Sequence, residues 1–183
     1  MPIVVEDGNG LVDSNSYVSS AFARAFAAER GITLPVVPSS GVDPVDALLV
    51  KAKDYMEALE PRFKGERTDA NVATHLQALS WPRKGVTVGC SARLVRENEI
   101  PARIKEAQCH LVVAQNAGFD LQPAIDPNRG VVKREKVDVL ETEFFSPKEV
   151  GAGYGAAPTF PAVDAALAGF VRSGHSAVLA FRG

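Results

Sequence analysis

The sequence predicts a mainly α fold, a small helical bundle of three to four helices with one β-hairpin and long loops. Three observations predict it. Apolar residues recur at three- and four-residue spacing in four separate stretches, which marks one-sided helices. Two short runs within residues 131–145 flank a single turn and read as paired strands. The remaining text is punctuated by glycine and proline, above all in the 60–98 connection, and holds no sustained period. The 183 residues suffice for one domain with a real core, read as residues 1–175, followed by a short C-terminal docking tail, 176–183.

The elements follow in order. The opening stretch to Ser16 is extended, with Ile3, Val4 and Val5 as a short strand or docking arm. Ser19 is a good N-cap for a first helix that runs to Arg30 and stops at Gly31, with Phe22, Ala25 and Phe26 on its apolar face. Residues 31–42 form a Pro/Gly-punctuated loop. Asp43 caps the second helix, Pro44 suits its first turn and Asp46 completes a capping-box-like pattern. Val45, Leu48, Leu49, Ala52, Tyr55, Met56 and Leu59 then line one face up to Pro61. A short helical turn is expected near Asn71–Ser80. The third helix runs from about Asn98 to Ala117, with Ile100, Ile104, Ala107, Leu111 and Ala114 in period. The hairpin turns near Val137 and Asp138, setting Lys133, Arg134 and Lys136 opposite Glu141 and Glu143. A fourth helix spans about Phe160–Arg172, with Val163, Leu167, Phe170 and Val171 on its apolar face.

Composition narrows the function classes. Hydrophobic residues make up 46% and charged residues 23%, a globular balance. The net charge of −2 advertises no global nucleic-acid field, yet residues 60–105 carry nine basic and five acidic groups while residues 1–59 carry four and eight. Cys90 and Cys109 make neither a disulfide framework nor a zinc site, so the chain reads as cytosolic in origin. No apolar run is long enough for a membrane span, and the N-terminus lacks a signal peptide's basic region, so no membrane partner is expected.

Catalytic chemistry is not visible, and the chain reads as a non-enzyme with no cofactor and no metal. His75, His110 and His175 are too scattered for a ligand pattern. Cys109 and His110 are adjacent, and adjacent helical side chains diverge by about 100°. Glu141 and Glu143 share a strand side but face basic residues across the hairpin. The glycines at 151, 153 and 155 lack the spacing and the Lys-Ser/Thr ending of a phosphate loop.

Two surfaces carry candidate partner contacts. Phe63 within Arg62–Arg67, and Trp81 beside Arg83 and Lys84, interleave rings with cations, as single-stranded nucleic acid requires. The same rings could instead anchor the long loop onto the core. In the tail, Val178, Leu179, Phe181 and Arg182 follow the stop at Gly174; they either dock in a partner groove or pack back onto their own domain.

These residues bring a resemblance into view. The chain resembles the tailed-phage and prophage family of DnaT-like ssDNA-binding proteins. The matching text includes residues 1–8 (Met1 to Gly8), Asn15–Ser19, Ala47–Tyr55, Phe63–Arg67, Gln77–Arg83, Ile100–Pro101, Val132–Val137 and Pro161–Asp164. The proline-rich text of residues 31–42, where a Trp-containing turn is expected, and the long tail depart from the pattern. The resemblance implies a virion part: a head-to-tail adaptor ringing the portal in the bacteriophage neck, assembled after synthesis in the host bacterial cytoplasm. It implies a twelve-fold homo-oligomeric ring, with the portal protein on one side, a stopper, tail-terminator or other neck protein on the other, and packaged DNA passing through the lumen. The family's label carries the alternative, a single-stranded-DNA-binding protein.

Overall fold

The computed structural model describes residues 2–39, 41–69, 76–122 and 159–172, together with the backbone of residues 132–136 and 141–144. Two compact units emerge, one made of Met1–Phe119 with Phe160–Gly183 and the other of Asp120–Thr159. The described residues hold four α-helices: α1 (Ser20–Ala28), α2 (Pro44–Ala58), α3 (Ala102–Asn116) and α4 (Pro161–Leu167). A 3-10 turn, Glu60–Arg62, extends α2. Three two-stranded antiparallel pairings accompany them, where one hairpin was expected: β1 (Glu66–Arg67) with β2 (Arg83–Lys84), β3 (Thr87–Val88) with β4 (Arg93–Leu94), and β5 (Val132–Lys136) with β6 (Glu141–Phe144). The architecture is a small mixed fold, broadly compatible with the mainly helical expectation.

Local signals set the helix starts. The Ser19 side chain accepts the Phe22 N–H and the Asp43 side chain accepts the Val45 N–H, so both expected caps form. Asp46 does not close a capping box; its carboxylate accepts the Ser20 hydroxyl and ties α2 to α1. The buried side of α1 is Ala23, Phe26 and Ala27, one position round from the expected face, and Phe22 is exposed. Along α2, Val45, Leu49, Ala52 and Met56 are buried as the period required.

α3 is the hub of the first unit, packing against α1, α2 and α4. Its buried residues include Ile104, Ala107, Cys109, Leu111 and Val112, and also Gln108. That amide is fully occupied: Oε1 accepts the Tyr17 N–H at 2.9 Å, and Nε2 donates to Ser16 Oγ and Leu49 O at 3.0 Å each. A buried polar group so satisfied costs little and fixes one arrangement of the opening segment, α2 and α3. The opening segment itself is organised by Glu6. Its buried carboxylate accepts the N–H groups of Gly8, Gly10 and Leu11 and the Ser14 hydroxyl, at 2.8–3.0 Å.

Within the second unit, the β5–β6 register sets Arg134 across from Glu143 and Lys136 across from Glu141, the pairing expected from the alternation. The expected helical turn near Asn71–Ser80 lies in part outside the described residues, and Leu76–Ser80 is not helical.

Candidate nucleic-acid interface

Phe63 and Trp81, singled out as stacking rings, are both 0% exposed. Phe63 meets Trp81 edge-to-face at 5.8 Å, and Trp81 meets Phe170 the same way at 5.5 Å. Arg83 is buried with them. Its guanidinium and Nε donate to the carbonyls of Lys64, Gly65 and Ser80 at 2.9–3.2 Å, and its NH1 lies 3.5 Å from Glu60. Burial lowers the Arg83 pKa, against the pull of Glu60. The three residues therefore form an aromatic core with a cationic staple. No ring face is left there for a base, and they are placed as anchors of the long connection. The four tail residues Val178, Leu179, Phe181 and Arg182 lie outside the described residues.

A second buried cluster joins that core to α2. Tyr17 Oη donates to Glu57 Oε1 at 2.6 Å, and the Ser80 N–H donates to Glu57 Oε2 at 2.8 Å. Burial pushes the Glu57 carboxyl above its ordinary value despite these donors, and burial with the Glu57 charge pushes the Tyr17 phenol well up. This is a knot between three segments. Cys109 is buried, its thiol pushed up to about 12 by burial. His110 meets Phe26 edge-to-face at 5.1 Å, and burial lowers its pKa. His75, His175 and the 151–155 glycines lie outside the described residues, and among the described residues no acidic, His or Cys group could hold a metal ion.

The basic surplus of residues 60–105 divides into paired and unpaired cations. Arg67 pairs with Asp69 and Lys84 with Glu66. Arg62, Arg93, Arg96 and Arg103 are exposed and have no ion-pair partner among the described residues. Arg62 stands out through its neighbour. Phe63 forms an antiparallel bridge with Val171, and the Arg172 N–H donates to Arg62 O at 2.7 Å. The bridge sets two exposed arginines across from one another, and no carboxylate pairs with either among the described residues. Like charges opposed in a ladder are unfavourable unless an anion joins them.

Rings border this pair. Tyr55 of α2 and Phe160 at the start of α4 are half-buried and meet edge-to-face at 5.6 Å. Arg62 and Asp164 lie close enough to bias the Tyr55 phenol, which burial and Asp164 push up and Arg62 pulls down. Lys51, exposed, sits one turn before Tyr55 on the same helix face. Lys51 and Tyr55 thus share a face of α2, and Arg62, in the 3-10 turn that follows, continues this stripe close enough to act on the Tyr55 phenol. Sequence reading assigned Tyr55 wholly to the core side. The Lys51–Tyr55 spacing was the available signal; Arg172 and Phe160 join only through tertiary contact.

The family model described as "Putative DnaT-like ssDNA binding protein" matches residues 1–183. No curated protein and no solved structure matches the chain. This match overturns the expected neck adaptor. The family description names single-stranded DNA, and nothing supports a portal, stopper or tail-terminator partner, a twelve-fold ring or a place in a virion.

Proposed function

The chain belongs to the family of DnaT-like ssDNA binding proteins, and from that membership we propose that it binds single-stranded DNA through the Lys51–Tyr55–Arg62 stripe with Phe160 and Arg172. The observation that carries the site is the opposed Arg62–Arg172 pair, two exposed arginines whose backbones are joined by a hydrogen bond and which have no ion-pair partner among the described residues, with Arg62 near the Tyr55–Phe160 ring pair. Phosphate bridges such a pair, since guanidinium donors suit its oxygens. The neighbouring rings accept an unstacked base, which only a single strand offers freely. We read the chain as a binder and not a catalyst, working in the bacterial cytoplasm, where an exposed free thiol such as Cys90 persists reduced.

The test is anisotropy of a dye-labelled oligonucleotide titrated with the full chain over a salt series. Three phosphate contacts give a slope of log affinity on log salt of about −2, at about −0.7 per phosphate. Arg62→Ala with Arg172→Ala is expected to remove about two-thirds of that slope. Tyr55→Ala is expected to lose about 1–3 kcal/mol of affinity at constant fold. No affinity at low salt, or affinity indifferent to all three changes, overturns the reading.

A further inference from the structure

We propose that the β3–β4 hairpin is a duplex-end wedge, so that the preferred ligand is a junction where a single strand leaves a double-stranded segment. The proposal rests on the single-strand reading above and deepens it.

The hairpin's register pairs Val88 with Arg93 and Thr87 with Leu94, and the Val95 N–H donates to Val86 O at 2.9 Å below them. Residues directly opposite share a face of the ladder, and faces alternate along each strand. One face turns inward: Val86 is buried, and Val88 lies against α4's end, where a Cβ placed on Gly169 would stand 3.9 Å from its Cγ1. The other face therefore points outward and carries Leu94, 64% exposed. Arg96, two residues on, follows it on that side, while Arg93 stands opposite Val88 at the edge of the ribbon; both are exposed and have no ion-pair partner among the described residues.

A single exposed leucine is ordinary. This one stands on a two-stranded ribbon with Arg93 before it and Arg96 after it in the chain, neither ion-paired among the described residues, and the ribbon is rooted in the proposed site. Lys64 Nζ donates to Gly169 O at 2.8 Å and reaches Thr87 O at 3.4 Å, while the Lys64 N–H donates to Phe170 O at 2.8 Å. The hairpin's base, the end of α4 and the segment Arg62–Lys64 are thus one fixed group. Apolar wedges flanked by cations unstack base steps, and the cations hold the phosphates on either side. The outermost pair of a duplex has a stacking neighbour on one side only and yields most easily. With the displaced strand on the Arg62–Arg172 face, Leu94 would press on that pair.

The test compares three probes with the full chain: an oligonucleotide, the same sequence as a blunt duplex, and a duplex bearing it as a single-stranded tail. The tailed duplex is expected to bind on the order of tenfold tighter than the single strand, and a thymine in its terminal pair to become reactive to permanganate. Leu94→Ser, at an exposed position, is expected to abolish both effects and to leave single-strand affinity unchanged. Arg93→Ala with Arg96→Ala is expected to weaken the tailed duplex more than the single strand. Intact single-strand binding with no junction preference, or a preference that survives Leu94→Ser, overturns the wedge alone. Failure to bind any probe overturns the single-strand reading and the wedge with it.

Discussion

Trp81 meets both Phe63 and Phe170 edge-to-face and has no exposed surface. Its Nε1 is buried without an acceptor among the described residues. Trp81→Ala removes the centre of this core and is expected to cost about 3–5 kcal/mol, read as a fall in denaturation midpoint. Trp81→Phe deletes the unpaired N–H along with part of the ring, so it is expected to cost clearly less than the alanine change. At Glu57 the expectation concerns pH. Burial raises this carboxyl above its ordinary value of 4.5, so the folded state takes up the proton before the unfolded one. Its contribution to stability therefore grows as pH falls through the folded pKa towards 4.5 and fades as pH rises above it. The difference in midpoint between wild type and Glu57→Gln should shift towards the wild type as pH is lowered from 7 to about 5; a flat difference would contradict the assignment. That Phe63 and Trp81 would be buried was one of two readings the sequence left open, because an aromatic next to arginine suits both a core edge and a base. Burial of Arg83 decided it, since its three carbonyl acceptors come from segments the sequence does not show to be adjacent.

At the scale of elements, caps were legible and faces less so. Ser19 and Asp43 start α1 and α2 as their side chains dictate. Asp43 also pairs with Arg24 at 2.6 Å, and that hydrogen bond holds its carboxyl below the ordinary 3.8. The stabilisation is present above 3.8 and is lost as pH falls through the folded pKa. Asp43→Ala is expected to cost about 1 kcal/mol at neutral pH from the cap alone, with the gap to wild type narrowing in acid. The face of α1 was misjudged by one position because alanines and phenylalanines alternate there and tertiary packing chose Ala23 over Phe22. The β1–β2 pairing was not legible at all, since two-residue strands carry no period. Its requirement is local: Gly65 has φ +67°, and a Cβ there would stand 2.2 Å from Lys84 O. Gly65→Ala is expected to break this pairing and lower the midpoint more than a surface change, as amide exchange at Arg67 and Lys84 would report.

For the whole molecule, both proposed contacts lie in the unit made of Met1–Phe119 and Phe160–Gly183. Replacing residues 120–159 with a short glycine-serine linker is expected to leave that unit cooperatively folded and single-strand affinity within about twofold, since none of the named residues is removed. A large loss of affinity would place part of the site in the second unit. Helix number, the β5–β6 hairpin and the family were legible from the sequence. The adaptor role was not. It came from what the resemblance implies, and the residues that carry the resemblance do not tell a ring subunit from a DNA binder. The local surplus of residues 60–105 was the better guide, although four of its nine cations, Lys64, Arg67, Arg83 and Lys84, proved to be spent on internal pairs and carbonyls.

Trp81 is the chain's one tryptophan. Its emission therefore belongs to a single environment, fully buried against Phe63 and Phe170, and should lie at short wavelength in the native protein. Trp81 is fully buried and is none of the proposed DNA contacts, so ligand should leave that emission unmoved, whereas any variant that loosens the core should redden and dim it. One cuvette then separates two kinds of failure: a variant that no longer holds DNA but keeps the native spectrum has lost a contact, and one that loses both has lost its fold.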